Sequence, residues 1–178
     1  MQQWNVVVST SGAYNLAKDL LQEFGSVHRT DFYNVLVLEV PDIHEFLGQL
    51  HQRVAAEPSL RDILGHVIPV TTTFLFQTPE EFETKARETV ISWLPQLANN
   101  SFHVRMHRRG FRGRLSSHHE ERFLDEFLLQ QLEEAGTPGQ IIFEDPDAII
   151  AVETVAQRAG LSLWTREDLQ RYSLLKLD

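Results

Sequence analysis

The segment RMHRRGFRGRL, residues 105 to 115, places five arginines in ten consecutive positions. A guanidinium presents several N–H donors in a planar fork, a shape that grips phosphate or carboxylate oxygens and stacks on flat rings. A polyanion is the partner that suits this chemistry. From Ser101 to His119 there are five Arg, four His and no acid, although the whole chain carries sixteen Lys and Arg against twenty-five Asp and Glu, a formal net charge of -9. The chain is polarised, and a local positive field on an acidic molecule favours one docking orientation. Thirteen of the basic residues are Arg and three are Lys, which selects fork recognition over a simple point charge. The same pattern also describes a solvated loop beside acidic neighbours, and charge alone does not separate the two.

The elements around the arginines must position them. Phe102, Val104 and Met106 alternate with His103, Arg105 and His107, which predicts a half-buried strand whose wet face is basic or imidazole. Arg108 to Leu115, with Gly110 and Gly113, reads as a mobile loop, and Ser117 with Glu120 three residues on predicts a capped helix. Glycines let the main chain approach an anion while Arg side chains arrive from strand and loop. Glu120 and Glu121 compete for the positive end of the helix, so the anion is assigned to Arg105, Arg108, Arg109, Arg112 and Arg114, with His107 and Gly110 beside them. Phe111 has two readings: stacking on an unpaired base, or anchoring the loop in the core.

Other chemistries fit less well. His103 and His107 share a strand face but stand about 13 Å apart, too far to hold one ion. Without cysteine or an HExxH pattern, neither a metal nor a small-molecule cofactor is expected, and disulfides and a cysteine nucleophile are excluded. Asp145 and Asp147 flank Pro146, which is ordinary turn chemistry. Glu153 lies in an apolar strand and is read as structural, either capping the strand end or pairing with an arginine such as Arg105. Ser9-Thr10-Ser11-Gly12 lacks both the phosphate-binding lysine and the dinucleotide glycine spacing. The N-terminus shows no basic region followed by an apolar core, and no apolar run approaches about 18 residues. A cytoplasmic chain without a membrane span is expected.

A chain of 178 residues with 42% hydrophobic content buries a sizeable core. Residues 1 to 76 read as β-α-β-β-α-β, the ferredoxin-like arrangement. Thr78 and Pro79 start a linking helix, and residues 77 to 178 form a second α/β lobe, in which AIIAVETV at 148 to 155 is a central strand apolar on both faces. No flexible linker separates the lobes, so two lobes packed rigidly together are expected, and the order of elements makes the fold class α+β.

The run SFHVRMHRRGFRGRLSSHHEERFLDEFLLQQLEEAGTPGQIIFEDPDAIIAVETVAQRAGLSLWTRED, residues 101 to 168, resembles a THUMP domain. A strand ending in Arg-Arg-Gly, a Ser-opened helix, a turn with Pro-Asp, the strand AIIAVETV and Gly-Leu-Ser-Leu carry the resemblance. Residues 1 to 76 are similar to the ferredoxin-like domain that precedes THUMP in several tRNA-modifying proteins. The resemblance implies binding of structured RNA, chiefly tRNA, with Arg105, Arg108, Arg109 and Gly110 matching the basic strand end. Such domains usually deliver substrate to a fused catalytic domain. A chain ending at Asp178 is similar to the stand-alone members that act as tRNA-binding adaptors for a cytidine acetyltransferase. One departure is Phe143-Glu144-Asp145, where the family often has a basic or amide residue before Pro-Asp. The rivals to a non-catalytic RNA binder are a protein-interaction adaptor meeting an acidic partner and an RNA-processing enzyme.

Overall fold

The computed structural model describes residues 3–178. Met1 and Gln2, on which part of the leader reading rests, lie outside them. The chain divides into two compact units, one ending at Thr71 but regaining Leu169–Leu177, the other comprising Thr72–Asp168 with Asp178.

In the first unit, apolar β-branched runs make strands and periodic apolar residues make helices. The order is β1 (Val6–Ser9), α1 (Tyr14–Leu21), β2 (Ser26–Arg29), β3 (Val35–Glu39), α2 (Ile43–Ala56), a short α3 (Arg61–Leu64) and β4 (His66–Pro69). The sheet is antiparallel in the order β2-β3-β1-β4, the ferredoxin-like topology expected from the βαββαβ reading. Helix α1 buries Ala17, Leu20 and Leu21, and α2 buries Ile43, Phe46, Leu47, Leu50 and Val54. Asp42 starts α2 by accepting from the N–H groups of His44 and Glu45, and those two donors hold its carboxyl below the ordinary value.

The second unit contains β5 (Thr72–Leu75), α4 (Pro79–Val90), α5 (Leu94–Leu97), β6 (Ser101–His107), α6 (Ser117–Glu134), β7 (Gln140–Ile141), β8 (Ala148–Val155) and β9 (Arg158–Thr165); α7 (Arg166–Arg171) follows. Its sheet runs β5-β9-β8-β6-β7. Strand β6 is parallel to β7 and β8, and the remaining pairs are antiparallel. Phe102, Val104 and Met106 of β6 join Phe82, Ala86 and Val90 of α4, Leu124, Leu128 and Leu132 of α6, and Ile150 and Val152 of β8 in one core. Thr78 caps α4, its hydroxyl accepting from Glu81 N–H at 3.1 Å. Phe123 and Phe127 of α6 pack partly buried against the same core, and the Arg87 guanidinium lies over both rings at 5.6 and 6.0 Å.

Two boundaries differ from the expected 1 to 76 and 77 to 178. Thr72–Leu75 pairs with β9 instead of extending β4, so the division falls at Thr71. Leu169–Leu177 belongs with the first unit: Leu174 accepts from Val67 N–H at 2.9 Å, Tyr172 meets His51 edge-on at 5.9 Å, and Leu174, Leu175 and Leu177 are buried. An apolar tail declares that it will be buried but not in which core. Among the described residues, no helix is long and apolar enough to cross a membrane.

Gly25 lies so close to β3 that an added Cβ would collide with the Glu39 carbonyl. Gly25→Ala is expected to cost about 1–3 kcal/mol, read as a lower urea midpoint with an unchanged denaturant slope.

Candidate functional site

The organising group is Glu153. It stands on β8 directly beside His107 of β6 in the parallel register, fully buried. One carboxylate oxygen lies 2.6 Å from His107 Nδ1 and the other accepts from the Arg109 guanidinium at 2.8 Å. Arg109 is also fixed through its main chain. Its N–H donates to Thr154 Oγ1 at 3.1 Å and its carbonyl accepts from Ala156 N–H at 2.8 Å. Glu153 therefore does pair with an arginine, but with Arg109 where Arg105 was expected. The arginine that reaches that carboxylate comes from the chain just past the strand end, beside His107 at the end of the strand itself.

Past this root the loop is pinned, which corrects the mobile reading. Gly110 and Gly113 have φ of 103° and 78°, and Phe111 itself takes a left-handed φ of 55°. That unusual conformation turns the Phe111 ring inward, stacked on Phe76 at 4.9 Å and packed against the core. The anchoring reading of Phe111 is the one the geometry displays. The Arg114 guanidinium lies over the same ring at 5.0 Å and donates to the Gln77 carbonyl at 3.3 Å. Arg114 N–H and Leu115 N–H both donate to the Phe111 carbonyl, and Leu115 is buried. Arg108 donates to the Gly110 carbonyl. Arg112 is exposed and makes no hydrogen bond or ion pair among the described residues. Among the described residues no carboxylate lies within ion-pair distance of Arg108, Arg112 or Arg114.

Arg105 belongs to a different place. It lines a groove of about 750 Å³ with His103, His118, Arg122, Asp125 and Phe143. Its buried Nε lies 3.4 Å from Asp178 Oδ1 without hydrogen-bond geometry. His103, expected on the wet face, is buried. Its Nδ1 lies 3.0 Å from the Ile142 carbonyl, and its ring packs beside the exposed Phe143 at 5.4 Å. Strand β7 reaches only Ser101 and Phe102, so the N–H groups of Val104 and Met106 on that edge need other acceptors. Asp125 and Glu121 of α6 supply them at 3.0 and 2.8 Å. Burial pushes the Asp125 carboxyl up to about 7, with the Val104 N–H opposing the shift and the neighbouring Glu121 and Glu126 adding to it.

The start of α6 also departs from expectation. Ser116, not Ser117, is the cap, its hydroxyl accepting from His119 N–H at 3.3 Å. Glu120 is turned inward instead of guarding the helix end. Burial, then the carboxylates of Glu83 and Glu80, push it up to about 8. The turn Asp145-Pro146-Asp147 is a clamp: Arg166 grips Asp145 at 2.8 Å and Asp147 at 3.1 Å. The Ser101 N–H and hydroxyl, followed by Arg166, hold the Asp147 carboxyl below its ordinary value.

No protein-family model matches the chain, and no curated protein matches it in sequence. Solved structures share its fold. TrmN from Thermus thermophilus is similar at a TM-score of 0.60 and 19% identity, over 90% of this chain and 44% of that one. PH1313 from Pyrococcus horikoshii is similar at 0.58 and 11%, over 92% and 55%. A predicted N6-adenine-specific DNA methylase from Listeria monocytogenes is similar at 0.51 and 15%, over 92% and 40%. The chain spans about half the length of these proteins. The architecture is an α+β pair in which a ferredoxin-like lobe precedes a THUMP-type α/β lobe.

The raised Asp125 carboxyl has a definite sign. Below its ordinary value it is protonated in folded and unfolded chains alike, and its contribution to stability is complete. As pH rises toward about 7 the unfolded chain ionises first and the folded state loses ground. Asp125→Asn keeps an acceptor for Val104 N–H and removes that loss. Against the parent protein, its urea midpoint is expected to gain between pH 5 and pH 8. The same Glu120 is present in both proteins, so the difference isolates Asp125.

Proposed function

We propose that this chain binds structured RNA, tRNA foremost, as a non-catalytic module, and presents it to a separate tRNA-modifying enzyme. In the form that the sequence resemblance suggests, that enzyme is a cytidine acetyltransferase. The observation that carries the reading is the set of three guanidinium groups, Arg108, Arg112 and Arg114, left without carboxylate partners on a loop pinned at Arg109, Phe111 and Leu115. Forks held on a fixed backbone meet phosphate oxygens with little further loss of freedom. The acidic remainder of the chain disfavours other approaches of a polyanion. The THUMP-type fold supports the same reading. So does the nucleic-acid-directed name of the Listeria protein that shares it.

Arg109 and His107 move from the contact set to the scaffold, because Glu153 already holds both. The two groups of arginines therefore differ in what their loss does. Arg108→Ala and Arg112→Ala are each expected to lower the log-log salt slope of tRNA affinity by about one. Arg109→Ala is expected instead to cost ~3 kcal/mol of folding stability, because it strips a buried carboxylate of its guanidinium. Tight tRNA binding with an unchanged slope in both surface variants would remove the loop from the interface. Absence of any tRNA binding would favour an acidic protein partner, and turnover of tRNA by the purified protein alone would overturn the non-catalytic part.

A further inference from the structure

Glu83 of α4 meets His119 and Glu120 in the first turn of α6. The His119 Nε2 atom lies 3.5 Å from Glu83 Oε2 and 3.8 Å from Glu120 Oε1. One ligand atom from each residue falls within 4.8 Å of the other two. Ligand atoms around a four-coordinate zinc ion stand about 3.3 Å apart, so closing the triangle needs side-chain rotation alone. The Glu120 side chain is 2% exposed, its carboxyl shares a hydrogen bond with Glu83, and its Oε2 has no hydrogen-bond partner among the described residues. An acceptor taken out of water without a donor demands a compensating partner. Among the described residues, no Lys or Arg pairs with Glu83 or Glu120. The backbone on the α6 side is fixed, since the Ser116 hydroxyl accepts from the His119 N–H.

We propose that Glu83, His119 and Glu120 bind one divalent zinc-type cation, joining α4 to α6 through two carboxylate oxygens and one imidazole nitrogen. The donor set selects the ion. An imidazole suits zinc and its neighbours in the transition series, whereas magnesium favours an all-oxygen shell. Three protein ligands leave coordination room for water, as in zinc sites that are not purely structural. His119 is 68% exposed at its side chain, so the cation has a path from solvent. Spacing along the sequence concealed this group, because its first member belongs to a different helix.

The test is calorimetric titration of zinc chloride into chelator-treated full-length protein, with magnesium chloride in parallel and thermal unfolding as a second readout. One equivalent of zinc should bind with a Kd in the range of about 1 μM or below, and the unfolding temperature should rise with zinc. Glu83→Gln and His119→Ala should each weaken binding about tenfold or more, while His118→Ala, at a histidine on the same turn outside the triangle, should leave it unchanged. Cobalt substitution should give visible absorption that Glu83→Gln abolishes. No saturable zinc binding, or binding that survives both Glu83→Gln and His119→Ala, would overturn the proposal. Equal binding of magnesium would overturn the assigned ion.

Discussion

The Glu153 carboxylate is withdrawn from water on a strand in which all eight residues are buried. Desolvating a carboxylate costs several kcal/mol, and the charge is tolerated only with close, well-oriented partners. His107 and Arg109 meet that need from two different directions, the end of β6 and the first residues beyond it. The chain leaving β6 is thereby tied to β8 by side chain and main chain together. Everything after it, from the left-handed turn to the buried Leu115 and the cap of α6, begins from that fixed point.

This constraint divides the basic run by task. Arg109 neutralises a buried charge, and Arg105 lines a groove that also holds the α6 carboxylates. Arg108, Arg112 and Arg114 alternate with Gly110, Phe111 and Gly113, where the backbone turns the aromatic ring inward, leaves Arg112 exposed, sets the Arg114 guanidinium over the ring and folds Arg108 onto the Gly110 carbonyl. A five-arginine segment is thus less an undivided patch than a short row of guanidinium groups on a fixed backbone. On the opposite edge of β6, Asp125 and Glu121 occupy the N–H groups that β7 leaves unpaired. That edge is closed to pairing with another strand.

Periodic apolar spacing made α1, α2, α4 and the strand β6 legible in the sequence, and with them the ferredoxin-like topology of the first unit. Apolar residues on both faces marked β8 as a central strand. What the sequence concealed depended on long-range pairing. Thr72–Leu75 looks like a continuation of β4, because a strand pattern carries no record of which sheet it joins. The leucines of the tail, 174, 175 and 177, carry no address for their core. At the site, Glu153 in an apolar strand did announce a cationic partner, yet Arg109 reaches it because the chain curls back at Ala156. His103 follows the alternation of β6 but is buried. Two carboxylates sharing space with His119 could not be read from spacing, since Glu83 is contributed by α4.

In the proposed function, nucleic acid meets the outer face of the pinned loop. Photo-crosslinking of the protein to thiouridine-containing tRNA, with crosslinked peptides mapped by mass spectrometry, tests it most directly. The account predicts that crosslinks concentrate in residues 108 to 115. Crosslinks confined to the ferredoxin-like unit, with the loop peptide unmodified at saturating tRNA, would contradict it.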